Sequence, residues 1–463
     1  MTETLTPRVL VVGGGPGGYV AAIRCGQLGL TTVLVETDRL GGTCLIRGCI
    51  PSKALIHASS DYAAMLEKLG KGHLGIRLSV APTIDFAETI QWKNGIVATL
   101  NSGVAALLKR ANVRVVKGWA EFSDAKTCIV RSDQGAVRIE AEHVVLATGS
   151  HAASLAGLPF GGDVIASTEA LDLTRLPEHL AIVGAGYIGL ELGTAFRKLG
   201  TKITVLEYQD RILPQYDEEL TAPVRNWLDR AGVRVELNAE VIGFKDGALL
   251  FRQRGKDAAV HADKVLVTVG RVPRTEGWGL EKMAVDKAGR FVQVDDRCHT
   301  SMRNVWAIGD LVGEPMLAHK ASAQGEMVAE IIAGRKRRFD PAAIPAVCFT
   351  EPEIVAVGLQ PQDSKEVSGD TVVGRFPFAA NGRSLSMDAG NGFVRIVARK
   401  SDSRVLGIQA VGAHASELSG EFSHSIEMGA TLEDVAGTIH AHPTLSEAFQ
   451  EAALRALGHA IHI

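Results

Sequence analysis

Short apolar runs recur along this chain, each followed by a glycine-rich turn and then by a longer stretch with helical spacing. The first run, from Arg8 to Val12, leads into GGGPGG, an amphipathic stretch through about Leu28, and the run TTVLVE ending at Glu36. That order predicts a βαβ unit. It returns mid-chain as Leu180 to Val183, GAGYIG, a helical stretch to about Leu199, and KITVLE ending at Glu207. The separation is far too long for a solenoid period, so it reads as a duplication of architecture. HVVLATGS, KVLVTVGRVPR and NVWAIGD add further strand-then-turn signals. The tail changes rhythm: VCFTEPEIVAVG, GFVRIVARK and VLGIQAVG read as antiparallel strands, and Ser416 to Met428, Leu432 to Ala436 and Ser446 to Leu457 as helices. The expected class is α/β, with two nucleotide-type units followed by an α+β domain.

At 463 residues the chain is too long for one core. Hydrophobic residues make up 46%, charged residues 22%, and the net charge is -3, which argues against a nucleic-acid partner. The basic run Arg335, Lys336, Arg337, Arg338 reads as a solvated helix end. MTETLTPR has no signal-peptide pattern, and no apolar stretch reaches about 18 residues. The expectation is a soluble, cytoplasmic protein with no membrane partner. Of six cysteines, Cys25, Cys128, Cys298 and Cys348 lie scattered in apolar segments and read as core residues.

Gly13, Gly15 and Gly18 form GxGxxG: a tight turn, a close approach to pyrophosphate, and close packing of helix on strand. Glu36, 23 positions beyond Gly13, stands where a carboxylate would meet a ribose hydroxyl. Gly184, Gly186 and Gly189 repeat the pattern, with Glu207 again 23 positions beyond the first glycine. A carboxylate there repels an adenosine 2′-phosphate and favours NAD over NADP; neighbouring Arg211 argues the other way, with less weight. Two sites suggest two cofactors, a tightly held flavin and a diffusible nicotinamide.

Cys44 and Cys49 sit in GGTCLIRGCIPSK, directly after the first unit. Their spacing allows a small disulfide ring, and in a reducing cytosol such a pair is more often catalytic than structural. Pro51 suits the first position of a helix, which puts Cys49 near a helix N-terminus that favours thiolate; Lys53 adds positive charge. The alternatives are a structural disulfide, two inert thiols, or a metal site, the last lacking partners at zinc spacing. Far along the chain, His442 precedes a proline and Glu447 follows five residues later, a pairing that suits a base. A satisfied loop histidine, or His440 as the working ring, fits the spacing equally well.

Taken together, GGGPGGYVAA, GGTCLIRGCIPSK, LATGS, GAGYIGLELG, NVWAIGD and HAHPTLSE resemble the pyridine nucleotide–disulfide oxidoreductases over essentially the whole chain. Within them the likeness is to the dihydrolipoamide dehydrogenases. GCIPSKALIH, FPFAANGR and the C-terminal segment most resemble the bacterial form serving branched-chain 2-oxo acid dehydrogenase complexes. The resemblance implies two Rossmann-like domains, FAD-binding (1–150) and NAD-binding (151–275), a central domain completing the FAD site (276–342), and an interface domain (343–463). It implies oxidation of protein-bound dihydrolipoamide with NAD+, and as partners a second copy of the chain plus the lipoyl domain and acyltransferase core of such a complex.

By position, Cys44 matches the thiol that attacks lipoyl sulfur and Cys49 the thiol against the flavin. Lys53 and Glu191 match an ion pair by the flavin ring, and Asp310 the residue on its ribityl chain. Gly149 and Ala318 match further FAD contacts, and Gly270 an NAD contact. His442 and Glu447 match the base and its orienting carboxylate, reaching across the homodimer. Ile46 departs from the pattern, since the family usually has asparagine there. Glutathione reductases would call for NADPH, against Glu207. Mercuric reductases carry a C-terminal cysteine pair, whereas the last cysteine here is Cys348. A non-catalytic scaffold would not need Cys44, Cys49, Lys53 and His442 together.

Overall fold

The computed structural model describes residues 3–133, 135–365 and 370–463. Its first parallel sheet runs, in spatial order, Val305–Ala307, His143–Leu146, Val9–Val12, Thr32–Glu36 and Arg114–Lys117. Val9–Val12 is buried at every position, as expected of a strand covered on both faces. The strand order reverses beside Val9–Val12, so the crevice beyond its C-terminal end is where a doubly wound sheet binds ligands. One edge strand, Val305–Ala307, comes from far along the chain, and the helix after it, Ala318–Ile332, packs on the first helix, Pro16–Gln27.

The second parallel sheet repeats the plan: Val164–Ile165, Lys264–Val267, His179–Val183, Lys202–Leu206 and Arg234–Glu236. Glu207 lies one residue past its strand rather than on it. An antiparallel meander of Ala239–Lys245, Ala248–Gln253 and Lys256–His261 is added to this unit.

The tail forms an antiparallel sheet in the order Ala346–Cys348, Glu353–Gly358, Val405–Gly412, Phe393–Arg399 and Thr371–Pro377. The helices Ser419–Glu427, Leu432–Gly437 and Glu447–Ala456 belong to the same domain. Cys348, Ile354, Phe393 and Val411 share a core with Phe196 and Leu220 of the second unit, so the tail is packed onto the nucleotide domains. No helix among the described residues is long and apolar enough to cross a membrane.

The basic run lies exposed just past the end of the helix Ala318–Ile332, as expected, but part of it is engaged. Arg335 and Arg337 fold back to donate to the buried Glu330 at 2.9 and 2.5 Å, where Arg24 also donates at 2.5 Å. Three guanidinium groups hold the Glu330 carboxyl below the usual range, led by the Arg24 hydrogen bond. Two members of this solvated run thus also neutralise a buried carboxylate.

Candidate active site

Gly13 has φ +102, and a Cβ there would lie 2.2 Å from the Ala147 carbonyl oxygen. A Cβ on Gly18 would lie 1.8 Å from the Gly13 oxygen, so the helix can approach the strand this closely only without side chains. The helix Pro16–Gln27 begins with no side-chain cap, which leaves its first N–H groups for a phosphate. The same holds for Tyr187–Lys198, behind Gly184, Gly186 and Gly189, and for Ala318–Ile332. By contrast, Asp85 and Asp217 cap Phe86–Arg110 and Glu218–Arg230 with their own side chains.

The two strand-end glutamates act alike. Glu36 Oε2 accepts from Gly14 N–H at 2.6 Å and Oε1 from Asp38 N–H at 2.9 Å. Glu207 Oε2 accepts from Ala185 N–H at 2.6 Å and Oε1 from Gln209 N–H at 2.8 Å. Each carboxylate reaches back 22 positions to brace its own glycine turn.

A cavity of about 540 Å³ opens at the C-terminal ends of the first sheet. Its wall brings together Gly13, Gly15, Glu36, Cys44, Cys49, Lys53, Gly149, Glu191, Asp310 and Ala318. Gly18 stands behind it as a packing residue. Gly184, Gly186, Gly189, Glu207 and Gly270 are not in this wall; the first four gather at the glycine turn of the second unit, and Gly270 follows its strand Lys264–Val267. That unit meets the cavity through Tyr187 and Glu191 on its helix. The uncapped helix ends, the glycine cradle and the Glu36 carboxylate fit an FAD lying along the cavity, with Ala318 at one helix terminus and Asp310 beside it.

Cys44 and Cys49 form a disulfide with Cα atoms 4.7 Å apart. Cys44 lies in the short helix Gly42–Arg47. The following helix, Cys49–Glu67, starts at Cys49 itself, two residues earlier than Pro51 suggests, because Ser52 N–H already bonds to the Gly48 carbonyl. Proline is accommodated within a first turn, where its missing N–H would have no partner. Cys49 therefore stands at the positive end of a long helix. Ile46 is buried in the core of the first unit, so it adds an apolar contact beneath the disulfide loop. The other four cysteines are free and buried, and burial pushes Cys25, Cys128 and Cys298 up to about 12.

Lys53 Nζ lies 2.8 Å from Glu191 Oε2, and Glu191 Oε1 accepts the Phe349 N–H at 2.9 Å. Asp310 accepts from Ser150 Oγ at 2.5 Å, and Ser150 Oγ accepts from Arg271 Nε at 2.7 Å. Sequence reasoning missed Tyr187, Ser150, Arg271 and Phe349. Tyr187, Ser150 and Arg271 lie inside GAGYIG, HVVLATGS and KVLVTVGRVPR, while the Phe349 N–H that Glu191 accepts leaves no signature in the sequence.

His442 Nδ1 lies 2.8 Å from Glu447 Oε1, and Glu447 Oε2 accepts the Thr444 N–H at 2.7 Å. Burial alone would raise the Glu447 carboxyl; the Thr444 N–H and the His442 ring outweigh it and hold it low. Neither residue lines the cavity, and the His442 side chain is 79% exposed. His440 is placed differently, with both ring nitrogens engaged by Thr438 and Glu421.

The pattern described as "Pyridine nucleotide-disulphide oxidoreductase" matches residues 7–325, and that of its dimerisation domain matches residues 344–453. A dihydrolipoyl dehydrogenase of Pseudomonas aeruginosa is 58% identical, covering 100% of both chains. One from Geobacillus stearothermophilus is 44% identical over 100% of this chain and 97% of its own. Among solved structures, LpdA from Mycobacterium tuberculosis superposes with a TM-score of 0.88 at 27% identity, covering 97% of this chain and 99% of that one. With residues 7–325 and the C-terminal domain both matched, and a full-length relative 58% identical, the chain belongs to the pyridine nucleotide–disulphide oxidoreductases.

Proposed function

We propose that this protein is an NAD-dependent dihydrolipoyl dehydrogenase, oxidising protein-bound dihydrolipoamide to lipoamide as the cytoplasmic flavoprotein component of a 2-oxo acid dehydrogenase complex. One observation carries the reading: the Cys44–Cys49 disulfide opens onto a cavity whose other walls are a nucleotide cradle and the Lys53–Glu191 pair. The names of the full-length relatives support the substrate class.

His442, oriented by Glu447, takes a proton from the first substrate thiol. The thiolate attacks Cys44 Sγ, the Cys44–Cys49 bond breaks, and Cys49 leaves as a thiolate favoured by its helix N-terminus. The second substrate sulfur attacks the mixed disulfide, closing the lipoyl ring and expelling Cys44. Two electrons end on the cysteine pair, one proton rests on His442, and the other leaves to solvent. When bound, FAD supplies the route for this electron pair onward to NAD+. Gly13, Gly15, Glu36, Gly149, Asp310 and Ala318 hold FAD, and Lys53 stands on its wall. Gly184, Gly186, Gly189, Glu207 and Gly270 hold NAD, with Glu207 selecting against a 2′-phosphate.

The chain acts as a homodimer, each disulfide being served by His442 of the partner subunit; the exposure of this ring outside its own cavity supports that assignment. The functional domains are residues 1–150 for FAD, 151–275 for NAD, 276–342 completing the FAD site, and 343–463 at the interface. The strand Val305–Ala307 in the first sheet supports the third assignment. The partners are the lipoyl domain and acyltransferase core of the complex, with the branched-chain type favoured by the motifs of the sequence.

The deciding experiment is steady-state turnover with dihydrolipoamide, glutathione and Hg²⁺, each against NAD(H) and NADP(H). Dihydrolipoamide with NAD+ should dominate, and the protein should purify yellow. A colourless folded protein, or faster turnover with NADPH than with NADH, overturns the reading.

A further inference from the structure

We infer that His440 is a positioning residue for the base: as an imidazolium donating from both ring nitrogens, it fixes the loop that carries His442 to the helix Ser419–Glu427. The inference rests on the proposed role of His442.

The His440 side chain is 4% exposed. Its Nδ1 lies 2.8 Å from the Thr438 carbonyl oxygen, and its Nε2 lies 3.0 Å from Glu421 Oε1. A carbonyl only accepts, and so does an ionised carboxylate. A neutral imidazole has one donor and one acceptor nitrogen, so it would set a lone pair against an oxygen at one of these contacts. Only the doubly protonated ring satisfies both. The groups facing it agree. Glu421 comes from one helix, and the last helix brings the charge of Glu447 and the edge of Phe449, 6.5 Å between ring centroids. The Glu421 hydrogen bond raises the pKa of His440 against the opposing effect of burial.

The anchor has a mechanical consequence. Thr438 ends the helix Leu432–Gly437, where its N–H bonds to the Asp434 carbonyl. At the far end of the loop, Glu447 holds both His442 and the Thr444 N–H, and Asn381 Nδ2 donates to the Thr444 carbonyl at 3.0 Å. His442 thus hangs between two fixed points, and His440 is the first of them. Once this ring loses its proton, one contact becomes repulsive and the base loses its support on that side. Reaction geometry is sensitive to displacements of about 1 Å, which cost about 10²-fold in rate.

The test compares the dimeric holoenzyme with His440→Ala and Glu421→Gln in two assays across neutral and alkaline pH. One is dihydrolipoamide oxidation by NAD+, which uses His442. The other is NADH oxidation by ferricyanide, which does not. His440→Ala should lose about tenfold or more in the first assay and retain the second. In Glu421→Gln the amide is free to turn its NH₂ toward a neutral ring, so both contacts survive deprotonation. Its dihydrolipoamide rate should therefore hold at alkaline pH where the wild-type rate falls. Equal losses in both assays, no loss in His440→Ala, or superimposable pH profiles for Glu421→Gln and wild type each overturn the inference. Should His440→Ala fail to fold, the nearly isosteric Glu421→Gln still decides. His442→Ala is the separate control: full dihydrolipoamide turnover in that variant would remove the base itself, a different failure.

Discussion

Lys53 and Glu191 stand 138 positions apart in sequence, yet their side chains meet at 2.8 Å on the cavity wall. The pair joins the helix after the disulfide to the helix after the second glycine turn. A third domain completes it: Phe349 gives its N–H to Glu191, and Lys53 Nζ lies 4.2 Å from the centre of the Phe349 ring. One charged contact thus ties together both glycine-turn units and the C-terminal domain.

Glu191→Gln should leave the Lys53 cation without its counter-charge beside the flavin site. Uncompensated positive charge favours the more negative, reduced flavin, so the flavin midpoint potential should rise. A shift on the order of 30 mV corresponds to about 1.4 kcal/mol for two electrons. Spectroelectrochemical titration of wild type and variant measures it, and an unchanged or lower potential would contradict this role for the pair.

The two cysteines should separate cleanly. Cys44→Ser should abolish dihydrolipoamide turnover while flavin stays bound. It should show a long-wavelength charge-transfer band already without reduction, because Cys49 at the head of its helix, freed from the disulfide, is a thiolate. Cys49→Ser should also be inactive but lack that band. Absorbance spectra of the two purified variants distinguish the outcomes, and a band present only in Cys49→Ser would reverse the assignment.

His442→Ala should lower dihydrolipoamide turnover by about 10²–10⁴, the range of a general base. The loss should appear in kcat, since the ring moves a proton rather than holding substrate. Steady-state kinetics on the homodimer checks this directly.

Glu207 accepts one backbone N–H from Ala185 in its glycine turn and one from Gln209 just beyond its own strand, each hydrogen bond to the carboxylate contributing about 1.5–3 kcal/mol. Glu207→Arg removes both and places a cation at the ribose end. The ratio of kcat/KM for NAD+ over NADP+ should fall at least about tenfold, with most of the change a loss with NAD+. An unchanged ratio would show that selection lies elsewhere, with Arg211 the first place to look.

Much of this was legible in the sequence because it depended on residue type at fixed spacing. The glycine turns, the strand-end carboxylates and the cysteine pair each need particular side chains, and the βαβ strands are short and fully buried. The elements left unread have no such mark. In the meander strand Lys256–His261 only Val260 is buried, and the edge strand Thr371–Pro377 alternates weakly, so neither forms an apolar run. Pro51 points to a helix start two residues late, since the backbone bond from Ser52 N–H to the Gly48 carbonyl, not the proline, sets the start at Cys49. The Phe349 contact to Glu191 runs through a peptide N–H that any residue but proline supplies. Likewise, that His440 rather than His442 would be the enclosed ring depended on Glu421, 19 positions away, which no local spacing reveals.

Acid stability offers a test remote from the chemistry. Arg395, buried in the last sheet, donates to Asp217 Oδ2 at 2.5 Å and to Glu219 Oε2 at 2.8 Å, joining that sheet to the second nucleotide unit. Asp217 also caps the helix Glu218–Arg230. Burial raises the Asp217 carboxyl, but the Arg395 hydrogen bond and charge outweigh it and hold it below its ordinary value. A carboxyl depressed in the folded state contributes stability that is fully present above its unfolded pKa, about 3.9, and is lost as pH falls through the folded value. Asp217→Asn should therefore be less stable at neutral pH, by about 2 kcal/mol, since it weakens a buried ion pair that Glu219 still partly compensates. It should also lose less stability than wild type on acidification below about pH 4. Urea midpoints measured at both pH values give the comparison. A variant as stable as wild type at neutral pH, or one that loses just as much in acid, would show that the Arg395 contact does not hold these two domains together.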